Sequence, residues 1–91
     1  MSDDTVRETR VCVLLFAAYR ELLGASRLEL AVPPGATLQD VYRALEVREP
    51  RLAQLRGATT FALNREVASS GSTVHDGDEI ALLQPVSGGM T

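Results

Sequence analysis

A chain of 91 residues, 45% of them apolar, is long enough for one packed domain and too short for two. Its single cysteine excludes an internal disulfide framework, and no apolar run approaches transmembrane length. A net charge of −3, without a basic patch interleaved with aromatics, argues against nucleic acid as a partner. The polar, acidic start at Met1–Arg10 is unlike a secretory signal, so a cytoplasmic domain is expected. All nine basic residues are arginine, which leaves no lysine for Schiff-base chemistry or for isopeptide linkage to copies of itself. One histidine and one cysteine, far apart in sequence, are a poor inventory for an enzyme acting alone.

Residues 1–9 read as a disordered polar lead-in. Val11–Phe16 is β-branched and apolar enough for a central strand, with Val11, Val13 and Leu15 on one face and Cys12, Leu14 and Phe16 on the other. Ala17–Gly24 predicts a short helical turn that Gly24 ends in the left-handed region. Arg27–Val32 alternates charged and apolar residues, as a half-exposed second strand should. Pro33-Pro34-Gly35 breaks the chain, and Thr37–Asp40 follows as a capping box in which Asp replaces the usual Glu or Gln. Leu38, Val41, Tyr42 and Leu45 form the stripe of a helix packed on a sheet, and Pro50 should end it. Leu52 and Leu55 suit a second short helical turn.

Thr60–Leu63 predicts a third strand, Asn64–Glu66 a turn and Val67-Ala68 a brief edge strand. Ser69–Thr73 is loop, and Val74–Asp78 is a tight turn that launches a last strand, Glu79–Gln84. The first and last strands are the most apolar and belong side by side and parallel at the centre of the sheet. The expected fold is α+β: a ubiquitin-like β-grasp with a mixed four- to five-stranded sheet and one main helix on one face. The domain should span residues 10–84, followed by a tail over 85–91. Pro85 has no N–H for a ladder, and Gly88-Gly89 has the greatest entropy to lose on ordering, so this tail is expected to stay flexible.

Strand alternation also defines a second sheet face. With Val13, Leu15, Ile80 and Leu82 toward the helix, Leu14, Phe16, Ala81 and Leu83 point the other way, and Val67 joins them. That is a larger apolar patch than a small monomer ordinarily exposes. Cys12, mid-strand and without a basic neighbour in sequence, reads as a strand filler. His75 and the cluster Asp76, Asp78 and Glu79 read as a solvated turn, short of the ligand count of a calcium loop.

Several stretches together resemble the small subunits of molybdopterin synthase, the MoaD/ThiS-type sulfur carriers. They are Val11–Gly24, Pro34–Thr37, Ala62–Asn64, Asp76–Glu79 and Pro85–Gly89, in the expected order over about residues 10–89. The resemblance implies a carrier that is no enzyme by itself, whose terminal glycine, Gly89, becomes a thiocarboxylate. A ubiquitin-activating-like adenylyltransferase would use ATP to activate it, and the carrier itself would bind no cofactor and no metal. Gly88, Ser87, Val86 and Pro85 would thread into the large catalytic subunit, which passes the sulfur to precursor Z. The open face, with Leu14, Phe16, Val67, Ala81 and Leu83, would dock both partners.

Met90-Thr91 depart from the family pattern, which ends at the second glycine. A processing protease would have to remove them, unless the chain is a divergent relative or the two residues are added. Other readings stay open beside this one: a sulfur carrier for thiamine or cysteine synthesis, a ubiquitin-like modifier of other proteins, and a plain interaction domain.

Overall fold

β1, Thr9–Leu15, pairs antiparallel with β2, Arg27–Val32, in a register that sets Val13 against Leu28 and Leu14 against Arg27. The computed structural model describes residues 8–84. β1 starts two residues before its apolar run, because Thr9 and Arg10 have partners in Val32 and Ala31. It also ends one residue early. Ala17 takes a φ of 49°, which turns the chain into helix α1, Ala17–Leu23, and makes Phe16 the residue that precedes that helix. Gly24 stops α1 with a φ of 74°, as its sequence position predicts.

α2, Leu38–Arg48, begins at a complete capping box. The Asp40 N–H donates to the Thr37 hydroxyl, and the Thr37 N–H donates to the Asp40 carboxylate at 2.9 Å, so Asp serves in place of Glu. Leu38, Val41, Tyr42 and Leu45 are all buried on its inner face. The segment after Pro50 is more than a turn: a 3-10 helix runs over Pro50–Ala58 and buries Leu52. It is held to α2 from both ends of the contact. The Tyr42 hydroxyl donates to the Leu52 carbonyl at 2.7 Å, and Arg56 forms a forked pair with Glu46. Thr59 then donates its hydroxyl to the Leu55 carbonyl, leaving its oxygen to accept from Tyr19 of α1 at 2.7 Å.

β3, Thr60–Leu63, and β4, Glu66–Ala68, form a hairpin, and β5, Glu79–Leu83, lies between β1 and β3. The sheet order is β2-β1-β5-β3-β4, with β1 and β5 parallel and every other pair antiparallel. This is the mixed, five-stranded β-grasp sheet, with α2 as the main helix. The core lies between sheet and helices: Val11, Val13, Leu15, Ile80 and Leu82 from the two central strands meet α2, Tyr19 and Leu52. Tyr42 and Phe61 add an edge-to-face aromatic pair across that layer, with centroids 6.1 Å apart.

Carboxylates on the helical side make acid the weak direction for this fold. Arg51 hydrogen-bonds Glu49 and holds it down from 4.5 to about 2. The Thr37 backbone N–H lowers Asp40, and the Arg56 guanidinium lowers Glu46. A carboxyl whose folded value lies below its unfolded one stabilises the fold above the unfolded value and loses that contribution as pH falls through the folded one. The unfolding midpoint should therefore drop as pH is lowered from 4.5 to about 2. Circular dichroism melts should show a smaller drop for Glu49→Gln across that window; an equal drop would mean the Glu49–Arg51 pair contributes nothing.

Candidate functional site

The sheet face away from α2 carries one continuous cross-strand row. Leu14 of β1 lies beside Ala81 of β5, Ala81 beside Ala62 of β3, and Ala62 beside Val67 of β4. Arg27 of β2 closes the row at the other edge. The central pair of alanines is low, while Leu14 and Val67 stand on either side, Val67 with 77% of its surface exposed. One step toward the end of β5, Leu83 lies opposite Thr60, and the parallel register ends at Leu15–Leu82, one residue before Phe16 and Leu83. Phe16 is 48% exposed and its extended backbone (φ −127°) keeps the strand alternation even though it no longer belongs to β1. The structure thus brings Leu14, Phe16, Val67, Ala81 and Leu83 onto one face.

Ala62 belongs to that face as well, buried at its centre, although its own sequence context does not mark it. Its position follows from Phe61, an aromatic residue that must face the core and so sends its neighbour the other way. In the opposite direction the face turns polar. Cys12 lies between Glu29 and Glu79 in the register, half-buried on a strand. The His75 imidazole stands 3.9 Å, by Nδ1, from Asp78 Oδ2, beyond hydrogen-bond reach. Among the described residues no group of three His, Cys, Asp or Glu side chains is placed to hold a metal ion. Nor is any described helix long and apolar enough to cross a membrane.

The turn before β5 fixes which side chains reach this face. Gly77, at a φ of 86°, lets the turn close, and its N–H donates to the Arg10 carbonyl. Arg10 N–H in return donates to Asp76 Oδ1 at 2.7 Å, and Cys12 N–H donates to the Asp78 carbonyl. Asp78 accepts from the His75 N–H and from Asn64 Nδ2, while Asn64 Oδ1 accepts from the Glu79 N–H at 2.9 Å. The Asn64 N–H donates to the Glu79 carbonyl at 2.7 Å. Asp76, Asp78 and Asn64 are therefore a clamp that ties β1, β5 and the β3–β4 hairpin in register. A slip of one residue in β5 would exchange Ile80 and Leu82 for Ala81 and Leu83 on the open face.

β5 runs out level with the end of β1, where Leu15 pairs with Leu82, and Gln84 is the last described residue. Pro85, Val86, Ser87, Gly88 and Gly89, the expected threading and sulfur-carrying residues, lie outside the described residues, as do Met90 and Thr91.

A mixed sheet gripping one main helix, with its last strand at the centre and an open apolar second face, defines a ubiquitin-like protein. The ThiS family pattern matches residues 13–89, and the chain belongs to that family. It is 40% identical to the molybdopterin synthase sulfur carrier subunit of Arabidopsis thaliana, over 97% of this chain and 91% of that one. Among solved structures it is similar to Haloferax volcanii small archaeal modifier protein 1 (29% identity, TM-score 0.77, 86% of this chain and 99% of that one). It is also similar to a chain in the complex of subunits 1 and 2 of the molybdopterin-converting factor of Helicobacter pylori (26% identity, TM-score 0.60, 89% of this chain and 100% of that one).

Removing the Asn64 or the Asp78 side chain from the clamp should weaken the fold. Asn64→Ala and Asp78→Ala should each cost about 1–2 kcal/mol in urea denaturation, and the double variant less than their sum, because the two share a hydrogen bond. Fully additive losses would contradict a joint clamp.

Proposed function

We propose that this chain is the sulfur-carrier subunit of a molybdopterin synthase, acting through Gly89 once Met90-Thr91 are removed. The observation that carries this reading is the family match, which runs to Gly89 and stops there, together with the 40% identity to a named sulfur carrier subunit over nearly the full length. The fold supports it by placing β5 at the centre of the sheet, where the strand leading to the tail is anchored on both sides.

The chemistry this assigns is simple at the carrier. A carboxylate resists nucleophiles, so a ubiquitin-activating-like adenylyltransferase joins the Gly89 carboxylate to AMP, with pyrophosphate leaving from ATP. Hydrosulfide attacks that carbonyl carbon and AMP departs, which leaves a thiocarboxylate. A persulfide attacking the same carbon displaces AMP to leave an acyl disulfide, which a donor thiol then cleaves, releasing the thiocarboxylate and a disulfide on the donor. The tail from Pro85 through Val86, Ser87 and Gly88 enters the large subunit, where the sulfur is passed to precursor Z. The carrier contributes no acid, base or cofactor of its own; ATP is used by the activating enzyme. With Met90-Thr91 still attached, Gly89 carries an amide and nothing for ATP to activate, so a protease acts first. The open face, with Leu14, Phe16, Ala62, Val67, Ala81 and Leu83, docks the large subunit and the activating enzyme in turn. The likeness to a small archaeal modifier protein favours one second reading, attachment of Gly89 to amines of other proteins.

Reconstitution separates these. The chain ending at Gly89 and bearing a thiocarboxylate, mixed with its large subunit and precursor Z, should form molybdopterin, and the full-length chain should not become activated at all. Val67→Glu should weaken large-subunit binding about tenfold without loss of fold. Protein adducts in place of molybdopterin would favour the modifier reading, and activation of the full-length chain would overturn the need for trimming.

A further inference from the structure

Asn64 and Arg65 are the two-residue turn between β3 and β4, with φ of 52° and 75°. Asparagine tolerates such a backbone, and here its side chain is used in the clamp. Arginine does not fit the second position, where hairpins with two left-handed residues favour glycine. The β3–β4 pairing holds that backbone, but among the described residues the arginine side chain gains little in return. The Arg65 side chain is 88% exposed, and among the described residues its one ion-pair partner, Glu79, is 3.7 Å away, an exposed pair of the kind that contributes little. Arg51 and Arg56 show the contrast: each grips a glutamate by two bonds of 2.7–2.9 Å. The hairpin fixes the left-handed backbone at this position, and no described contact within the fold accounts for arginine there, which directs attention to a role outside it.

The place of Arg65 says what that role is. It follows Asn64 at the border of the open face, two residues before Val67 and against Glu79, which neighbours Cys12 on that face. Arg27 stands at the other end of the apolar row, across β1. The apolar row Leu14–Ala81–Ala62–Val67 is thus bordered by guanidinium groups near both ends, and a guanidinium fork is shaped for a carboxylate.

We propose that Arg65 is a specificity-determining residue of the open face, selecting a protein partner whose apolar patch is bordered by carboxylates. The proposal rests on the docking role assigned above. On association Arg65 exchanges its loose contact with Glu79 for a carboxylate of the partner, steering the encounter and fixing its orientation.

Arg65→Gly and Arg65→Lys test it, with melting temperature and the association rate to the large subunit both measured. Arg65→Gly relieves the turn and should raise the midpoint by about 4 °C. It should also slow association about two- to fivefold at low salt, with the difference shrinking at high salt. Arg65→Lys, which keeps the charge and the strained backbone, should associate nearly as fast as the parent chain. A merely structural residue would show the higher midpoint with an unchanged rate, and that result overturns the proposal. A lower midpoint for Arg65→Gly overturns its premise of strain. Parent chain that fails to bind the large subunit removes the docking role itself, and the proposal with it; binding that Arg65→Gly leaves untouched removes the proposal alone.

Discussion

The parallel pairing of β1 with β5 is the contact on which the rest of this structure depends. It joins Cys12–Leu15 to Glu79–Leu82, segments separated by nearly the whole domain, and it can form only after the intervening chain has folded back on itself. Everything between has to return β5 to the centre in one register. The helix stripe covers Val13, Leu15, Ile80 and Leu82, which makes any other register expose them. The clamp at Asn64, Asp76 and Asp78 then fixes the start of β5 with hydrogen bonds from backbone groups of β1, of β5 and of the turn between β4 and β5.

The two faces of the sheet follow from that one pairing and do different work. The helical face is closed: its buried groups are apolar or, like the hydroxyls of Tyr19 and Tyr42, hydrogen-bonded. Among the described residues no buried side-chain nitrogen or oxygen lacks a partner. The other face leaves Phe16 and Val67 exposed and Leu14, Ala81 and Leu83 half-buried, with Ala62 buried in the middle. A face of this kind is stable in water only as a compromise, and covering it with a partner removes apolar area from solvent. Rigidity suits the carrier role proposed here, because the last strand must hold still while the residues beyond it are worked on.

Much of this was legible in the sequence because it rests on local signals. Leu38, Val41, Tyr42 and Leu45 share one helical face whatever surrounds them, Thr37 and Asp40 cap that helix by themselves, and Gly24 and Pro50 act on their own backbones. Strand alternation likewise places Leu14, Ala81, Leu83 and Val67 on the open face. What sequence periodicity missed depends on tertiary context. Phe16 reads as strand, yet an unusual backbone at Ala17 ends β1 one residue earlier. The 3-10 helix after Pro50 runs nine residues because Tyr42 and Glu46 of α2 hold it, a bond no local pattern announces. Ala62 carries no signal of its own; only the inward turn of Phe61 places it. Asn64-Arg65 looks like a looser three-residue turn, since arginine is a poor candidate for the left-handed position it occupies.

The central claim is that Gly89 becomes the working end of the chain, and the most direct test is the intact mass of the protein purified, untagged at its C-terminus, from its own cells. The account predicts a chain that ends at Gly89, with a fraction about 16 Da heavier where sulfur has replaced oxygen in the terminal carboxylate. Retention of Met90-Thr91 in every molecule would contradict it, leaving a ubiquitin-like domain whose terminus is never free to carry sulfur.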